Sequence, residues 1–172
     1  MFAPRSIREF VKNSWTAGLL PFPRTTHYFN LELPDPMPFY TSPDQLYESF
    51  RQLFARLEAE NPAATQAVRK SKLVFRFNCT HPDACITING RHNPVQATYG
   101  PSPLKADLEV SLSADTLHRI LLGRLSLRDA MRRKAMRVKG PVWKSFALVE
   151  IFNQGKTLYP QILRQRGLLS EE

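Results

Sequence analysis

Ala106-Asp107-Leu108-Glu109-Val110-Ser111-Leu112-Ser113-Ala114-Asp115, running on to Arg137-Val138-Lys139-Gly140, is the stretch that decides the fold. Leu108, Val110 and Leu112 alternate with Asp107, Glu109 and Ser111, the period-two pattern of a strand with one apolar side. Ser113 is placed to cap a helix, Asp115 favours its first turn, and Gly123 suits its end. A second short helix then leads into a strand over residues 135–139. The order is strand, capped helix, glycine stop, short helix, strand.

Upstream, Ser42-Pro43-Asp44-Gln45 opens a helix: serine can accept from the backbone, glutamine can reach back, and proline suits the first helical position. Leu46, Phe50, Leu53, Phe54 and Leu57 fall on one side of it, and Asn61-Pro62 marks its end. Residues 72–78 alternate as a strand, and His81-Pro82-Asp83 makes a turn. Ile86 and Ile88 lead into Asn89-Gly90, which suits a tight hairpin turn. Val95, Ala97 and Tyr99 form the returning strand, with Pro94 marking a bulge or an edge.

Downstream, Gly140-Pro141 restarts a helix in which Val142, Trp143, Phe146, Val149 and Phe152 are spaced for burial. Gly155 is expected to interrupt it, leaving residues 156–166 as a shorter, proline-marked tail helix. Strands come first as an antiparallel meander and helices follow, an α+β order rather than a repeating βαβ one.

This grammar, over roughly residues 45–155, resembles the sterol carrier protein type two (lipid-transfer) family. The resemblance implies a roughly five-stranded, mainly antiparallel sheet, covered by helices on one face and enclosing an apolar tunnel. It further implies non-catalytic binding or transfer of a hydrophobic lipid: fatty acyl, sterol-like or, since members of the family accompany isoprenoid-quinone enzymes, a polyprenyl quinone. Residues 1–44 form a proline-rich arm before the domain, and residues 156–172 a helical tail. Within the arm, Ile7, Phe10, Val11 and Trp15 suit one side of a short basic helix. Phe22, Tyr28, Phe29, Phe39 and Tyr40 are its aromatic anchors.

An acyl or sterol site needs apolar volume left unfilled, not a special residue at a special spacing. The candidates to line it are Leu117, Ile120, Leu121, Leu125, Met131, Met136, Val138, Phe146, Val149 and Phe152. Methionine suits such a wall because its unbranched chain adapts to different shapes. Each buried methylene contributes about 0.8 kcal/mol, so a sixteen-carbon chain offers roughly 12 kcal/mol before association and ordering costs. Periodicity does not separate a lined tunnel from a solid core; the tunnel rests on the resemblance.

The net charge is +9 over 172 residues, and it is unevenly placed. Residues 119–139 hold eight arginines and lysines against Asp129 alone, a local excess of +7. Such a patch attracts anions, whether headgroups, acidic lipid surfaces or nucleic acid. Arg128, Arg132 and Arg133, beside the loop between the two short helices, are the candidate headgroup contacts. A protein-interaction domain accessory to lipid or quinone biosynthesis is the first alternative, with a homodimer open. Nucleic-acid binding through residues 119–139 is the weakest, because the segment lacks an aromatic stacking surface.

Cys79 and Cys85 are too few for a disulfide scaffold, although they bracket a turn and can be imagined facing each other across adjacent strands. With His81 and His92 they match no standard zinc spacing. No phosphate loop, dinucleotide turn or nucleophile elbow occurs. His118, beside Arg119 on an apolar helix, reads as structural rather than as a base. No enzyme, metal or cofactor is expected. No apolar run approaches the roughly 18 residues needed to cross a bilayer. Arg5, Arg8, Glu9 and Lys12 interrupt any secretory core, so the cytoplasm is the expected compartment.

Overall fold

A computed structural model describes residues 38–141 and 146–169 of the chain. The first helix, α1 (Pro43–Glu60), begins as its sequence dictates. The Ser42 hydroxyl accepts from the Gln45 amide at 3.3 Å, and the Gln45 side chain accepts from the Thr41 amide at 3.0 Å. Leu46, Phe50, Leu53 and Leu57 are buried along one side. The chain does not leave helical geometry for long at Asn61-Pro62. Pro62 takes the first position of another helix, α2 (Pro62–Ser71), which buries Ala64 and Val68 and ends on Lys72 in the left-handed region. No helix is expected there from the sequence: the two core residues, Ala64 and Val68, span little more than a single turn.

Five strands follow: β1 (Val74–Thr80), β2 (Ala84–Asn89), β3 (Gln96–Tyr99), β4 (Leu108–Ser113) and β5 (Met136–Lys139). Their spatial order is β3-β2-β1-β4-β5. β1–β2, β2–β3 and β4–β5 are antiparallel, so the sheet is mostly antiparallel as expected. The exception is β4, which lies parallel to β1 in the middle of the sheet. The antiparallel meander therefore covers only β1 to β3. Residues 100–107 must carry the chain back past β1, and Asp107 fixes that return. Its carboxylate accepts from the Val74 amide at 2.7 Å and from Arg91 at 2.9 and 2.8 Å.

Asn89-Gly90 does not make a tight hairpin. Asn89 pairs with Gln96, and residues 90–95 form a longer connection in which the Asn89 side chain accepts from the Arg91 amide at 3.0 Å. Glycine is required at 90 for a different reason: a Cβ there would stand 2.5 Å from the Val68 carbonyl oxygen and 2.9 Å from that of Leu73. β3, with Pro94 just before it, is an edge strand.

One face of the sheet is apolar. The register aligns Phe75, Ile88 and Leu108; Phe77, Ile86 and Val110; and Cys79, Ala84 and Leu112, all buried. Arg76, Asn78, Glu109, Ser111, Arg137 and Lys139 alternate onto the other side. Two short helices, α3 (Ala114–Leu121) and α4 (Leu127–Arg132), connect β4 to β5. Ser113 caps α3 by accepting from the Thr116 amide at 3.0 Å, and Ser126 caps α4 by accepting from the Asp129 amide at 3.0 Å.

The last helix, α5 (Phe146–Gln165), runs unbroken through Gly155 and Pro160. The expected interruption at Gly155, and a separate tail from residue 156, are thus corrected. Gly155 is a packing residue: a Cβ on it would lie 3.1 Å from Leu121 Cδ2, so its absence lets α5 close onto α3. Leu148, Ile151, Phe152, Leu158, Tyr159, Ile162 and Leu163 bury the inner side of this helix, which packs on α1, α2 and α3. Of the proposed aromatic anchors, Tyr40 is buried and Phe39 stacks on His118, with ring centroids 3.6 Å apart. The short basic helix and the other anchors of the arm lie outside the described residues.

Candidate functional site

The sequence candidates divide between two environments. Leu117, Ile120 and Leu121 on α3 are at most 1% exposed and belong to the solid core beneath the sheet. Leu117, Leu121 and Phe152 border a void of only about 20 Å³ there, too small for a guest. Leu125 is buried beside α3.

Met131, Met136, Val138, Val149 and Phe152 instead converge on a cavity of about 110 Å³ between α4, the β4–β5 edge of the sheet and the start of α5. Leu108, Val110, Leu127 and Leu148 complete its wall. All nine are apolar. Alternation puts Leu108 and Val110 on the apolar side of a strand but does not by itself put them in the site, since register is what brings Val110 opposite Val138. Leu127 and Met131, four residues apart, share the side of α4 that faces the cavity. The side chain of Phe146 lies outside the described residues.

Met131 is 43% exposed and Val149 37%, so the cavity opens to the surface beside them. Arg128, Arg132 and Arg133 are all exposed on or just after α4. Their fields converge on Asp129, whose carboxyl is held below the usual range by the Ser126 hydroxyl first and then by Arg132, Arg133 and Arg128. Arg132 pairs with it directly at 3.0 Å.

A larger groove, about 460 Å³, lies between α2 and the β2–β3 connection. Glu58, Gln66, Arg69 and Asn93 line it, and Arg69 donates to the Asn93 side chain at 2.8 Å. An apolar chain laid there would strip water from these groups without replacing it, so size alone does not make it the lipid site.

The side chains weighed for other chemistry have structural surroundings. His118 is buried, stacked on Phe39, and bonded through Nδ1 to the Tyr159 hydroxyl at 3.0 Å. Burial, the largest influence, drives its pKa down to about 4, so the ring is neutral at ordinary pH. Cys79 and Cys85 do not face each other. Cys79 pairs with Ala84 and points into the core, whereas Cys85 pairs with Asn78 on the opposite side of the sheet. Burial pushes the Cys79 thiol up to about 12, which keeps it protonated and unreactive. No described helix is long and apolar enough to cross a membrane.

A mixed five-stranded sheet with helices on its apolar face defines an α+β fold, with an apolar cavity at its β4–β5 side. The profile of the SCP-2 sterol transfer family matches residues 50–153, and the chain belongs to that family. Among solved structures, it is similar to the sterol carrier protein domain 2 of Helicoverpa armigera, with a TM-score of 0.55 and 15% identity over 66% of this chain and 89% of that one. It is likewise similar to UbiJ-SCP2, a ubiquinone synthesis protein, with a TM-score of 0.50 and 16% identity over 65% of this chain and 98% of that one. It also spans 14% of the length of the inverting sec-alkylsulfatase Pisa1 from Pseudomonas sp., with a TM-score of 0.43 and 22% identity over 52% of this chain. No curated protein matches the chain in sequence.

Proposed function

We propose that this protein binds and transfers a hydrophobic lipid without catalysing a reaction, and that the cavity under α4 is where the lipid enters. The observation that carries this reading is the wall itself: nine side chains from two strands and two helices, none of them polar, around unfilled space that reaches the surface. Filling such space with methylenes is favourable by about 0.8 kcal/mol each and demands no hydrogen bond. At about 110 Å³ the cavity falls short of the roughly 300 Å³ at which ligand pockets begin, so a long chain must widen it. The two methionines in its wall suit that requirement.

Arg128, Arg132 and Arg133 would then meet an acidic headgroup at the mouth with charge-assisted hydrogen bonds. An accessory role in quinone biosynthesis is a second reading, favoured by the likeness to a ubiquinone synthesis protein. It makes the ligand an isoprenoid quinone and adds an enzyme as partner. The core void by α3 gives no support to Leu117, Ile120 or Leu121 as ligand contacts, and we leave them out of the site.

Titration with a fluorescent fatty acid, followed by competition with unlabelled fatty acid, sterol and polyprenyl quinone, tests the reading. Saturable uptake that is lost in Met136→Trp and Val149→Trp supports the cavity, and the best competitor names the lipid class. Unchanged uptake in both variants would place the ligand elsewhere.

A further inference from the structure

The cavity mouth lies within the most cationic stretch of the chain. All eight arginines and lysines of residues 119–139 are exposed, and Asp129 is the one acid among them. Three of them, Arg128, Arg132 and Arg133, stand on or just after α4 beside the apolar rim. Arg132 and Arg133 follow Met131 and Arg128 lies nearly one turn before it, while Arg137 and Lys139 project from the other face of the same edge strand, β5, that brings Val138 to the cavity. Among the described residues three large apolar side chains are exposed, and two of them, Met131 and Val149, stand on this rim.

We propose that the α4–β5 edge seats on an anionic lipid bilayer, with Met131 and Val149 entering the headgroup layer and the cavity mouth turned toward the lipid. The inference deepens the carrier reading and rests on it for its purpose, though not for its binding energy. Charge complementarity selects the occupant: a sheet edge with a +7 segment attracts an anionic surface, and water-exposed apolar side chains at its centre gain by leaving water. A nucleic acid satisfies the first condition and not the second. Residues 119–139 contain no aromatic side chain on which a base could stack.

The experiment is sedimentation of the full chain with vesicles of phosphatidylglycerol and phosphatidylcholine, against phosphatidylcholine alone and against a single-stranded oligonucleotide. The expected result is binding to the anionic vesicles only, weakening as salt rises from about 0.1 to 0.5 M. Each cation near the surface contributes roughly fivefold, so the variant Arg124→Glu/Lys134→Glu/Arg137→Glu loses affinity by at least about 100-fold. Met131→Ser, which leaves every charge in place, loses roughly three- to tenfold. Equal affinity for both vesicle types, an unaffected Met131→Ser, or tight oligonucleotide binding without vesicle binding would overturn the proposal. Far-ultraviolet circular dichroism confirms that each variant is folded. Fatty-acid uptake, measured in parallel without vesicles, separates the two readings. Vesicle binding without uptake supports the docking edge and removes the carrier, whereas uptake without vesicle binding overturns the docking edge alone.

Discussion

Nδ1 of His118 and the hydroxyl of Tyr159 lie 3.0 Å apart, joining α3 to α5 across 41 residues of sequence. The same hydroxyl meets that of Tyr40, and both tyrosines are at most 1% exposed. Phe39 lies against the imidazole, and its amide donates to Asp115 at 2.9 Å. A short polar chain thus holds the segment before α1 onto two helices of the core. Tyr159→Phe leaves the Tyr40 hydroxyl and the imidazole without their shared partner, so we expect a loss of about 1–3 kcal/mol. Urea denaturation measures it, and an unchanged midpoint would show that the chain contributes nothing.

The imidazole gives this connection a pH dependence. Burial first, then the field of Arg124, lowers its pKa from 6.5 to about 4, against the opposing pull of Asp115. Between those values the unfolded chain binds a proton that the folded protein refuses. Stability is therefore full above about pH 6.5 and falls as the pH drops toward 4. The contribution is on the order of 2–3 kcal/mol. Urea midpoints taken across that window should slope downward toward acid, and His118→Gln should flatten the slope.

The division between core and cavity makes a paired prediction. Ile120 is fully buried and does not touch the cavity, so Ile120→Ala should cost about 2–5 kcal/mol and leave lipid uptake unchanged in whatever remains folded. Val149 is more than one-third exposed on the cavity rim, so Val149→Ala should cost less than about 1 kcal/mol. It should also alter uptake. Thermal melting combined with fatty-acid titration reads both, and equal effects on uptake would erase the distinction.

Sequence alone carried much of the fold because its signals were local. Ser42, Ser113 and Gly123 sit where a cap or a stop is needed, and Leu108, Val110 and Leu112 alternate by the geometry of a strand. The parallel pairing of β4 with β1 was not legible, because no residue in either strand states the direction of its neighbour. Asn89-Gly90 misled by carrying the composition of a tight turn, while Gly90 is there to clear two carbonyl oxygens. Gly155 misled in the same manner: its missing side chain serves the contact with Leu121 rather than ending a helix.

The candidate site was half legible. Periodicity marks Leu117 and Ile120 as apolar just as it marks Met131 and Met136, yet the first pair fills the interior and the second faces open space. What distinguishes them is the element each packs against, a tertiary matter: Leu117 and Ile120 stand on α3 within the core, whereas Met131 and Met136 border the cavity. Leu127 and Leu148 passed unnoticed for the same reason.

If a guest enters the cavity as proposed, the continuity of α5 bears on which wall would yield. Its first turns belong to the same helix as the fully buried Tyr159 and Leu163, so an outward swing would work against their packing. α4 has six residues and buries only Ala130, so it is moored far more lightly. On the proposed reading accommodation would be lopsided, and the bulkiest cargo would be set by how far that one short helix travels before Ala130 comes loose.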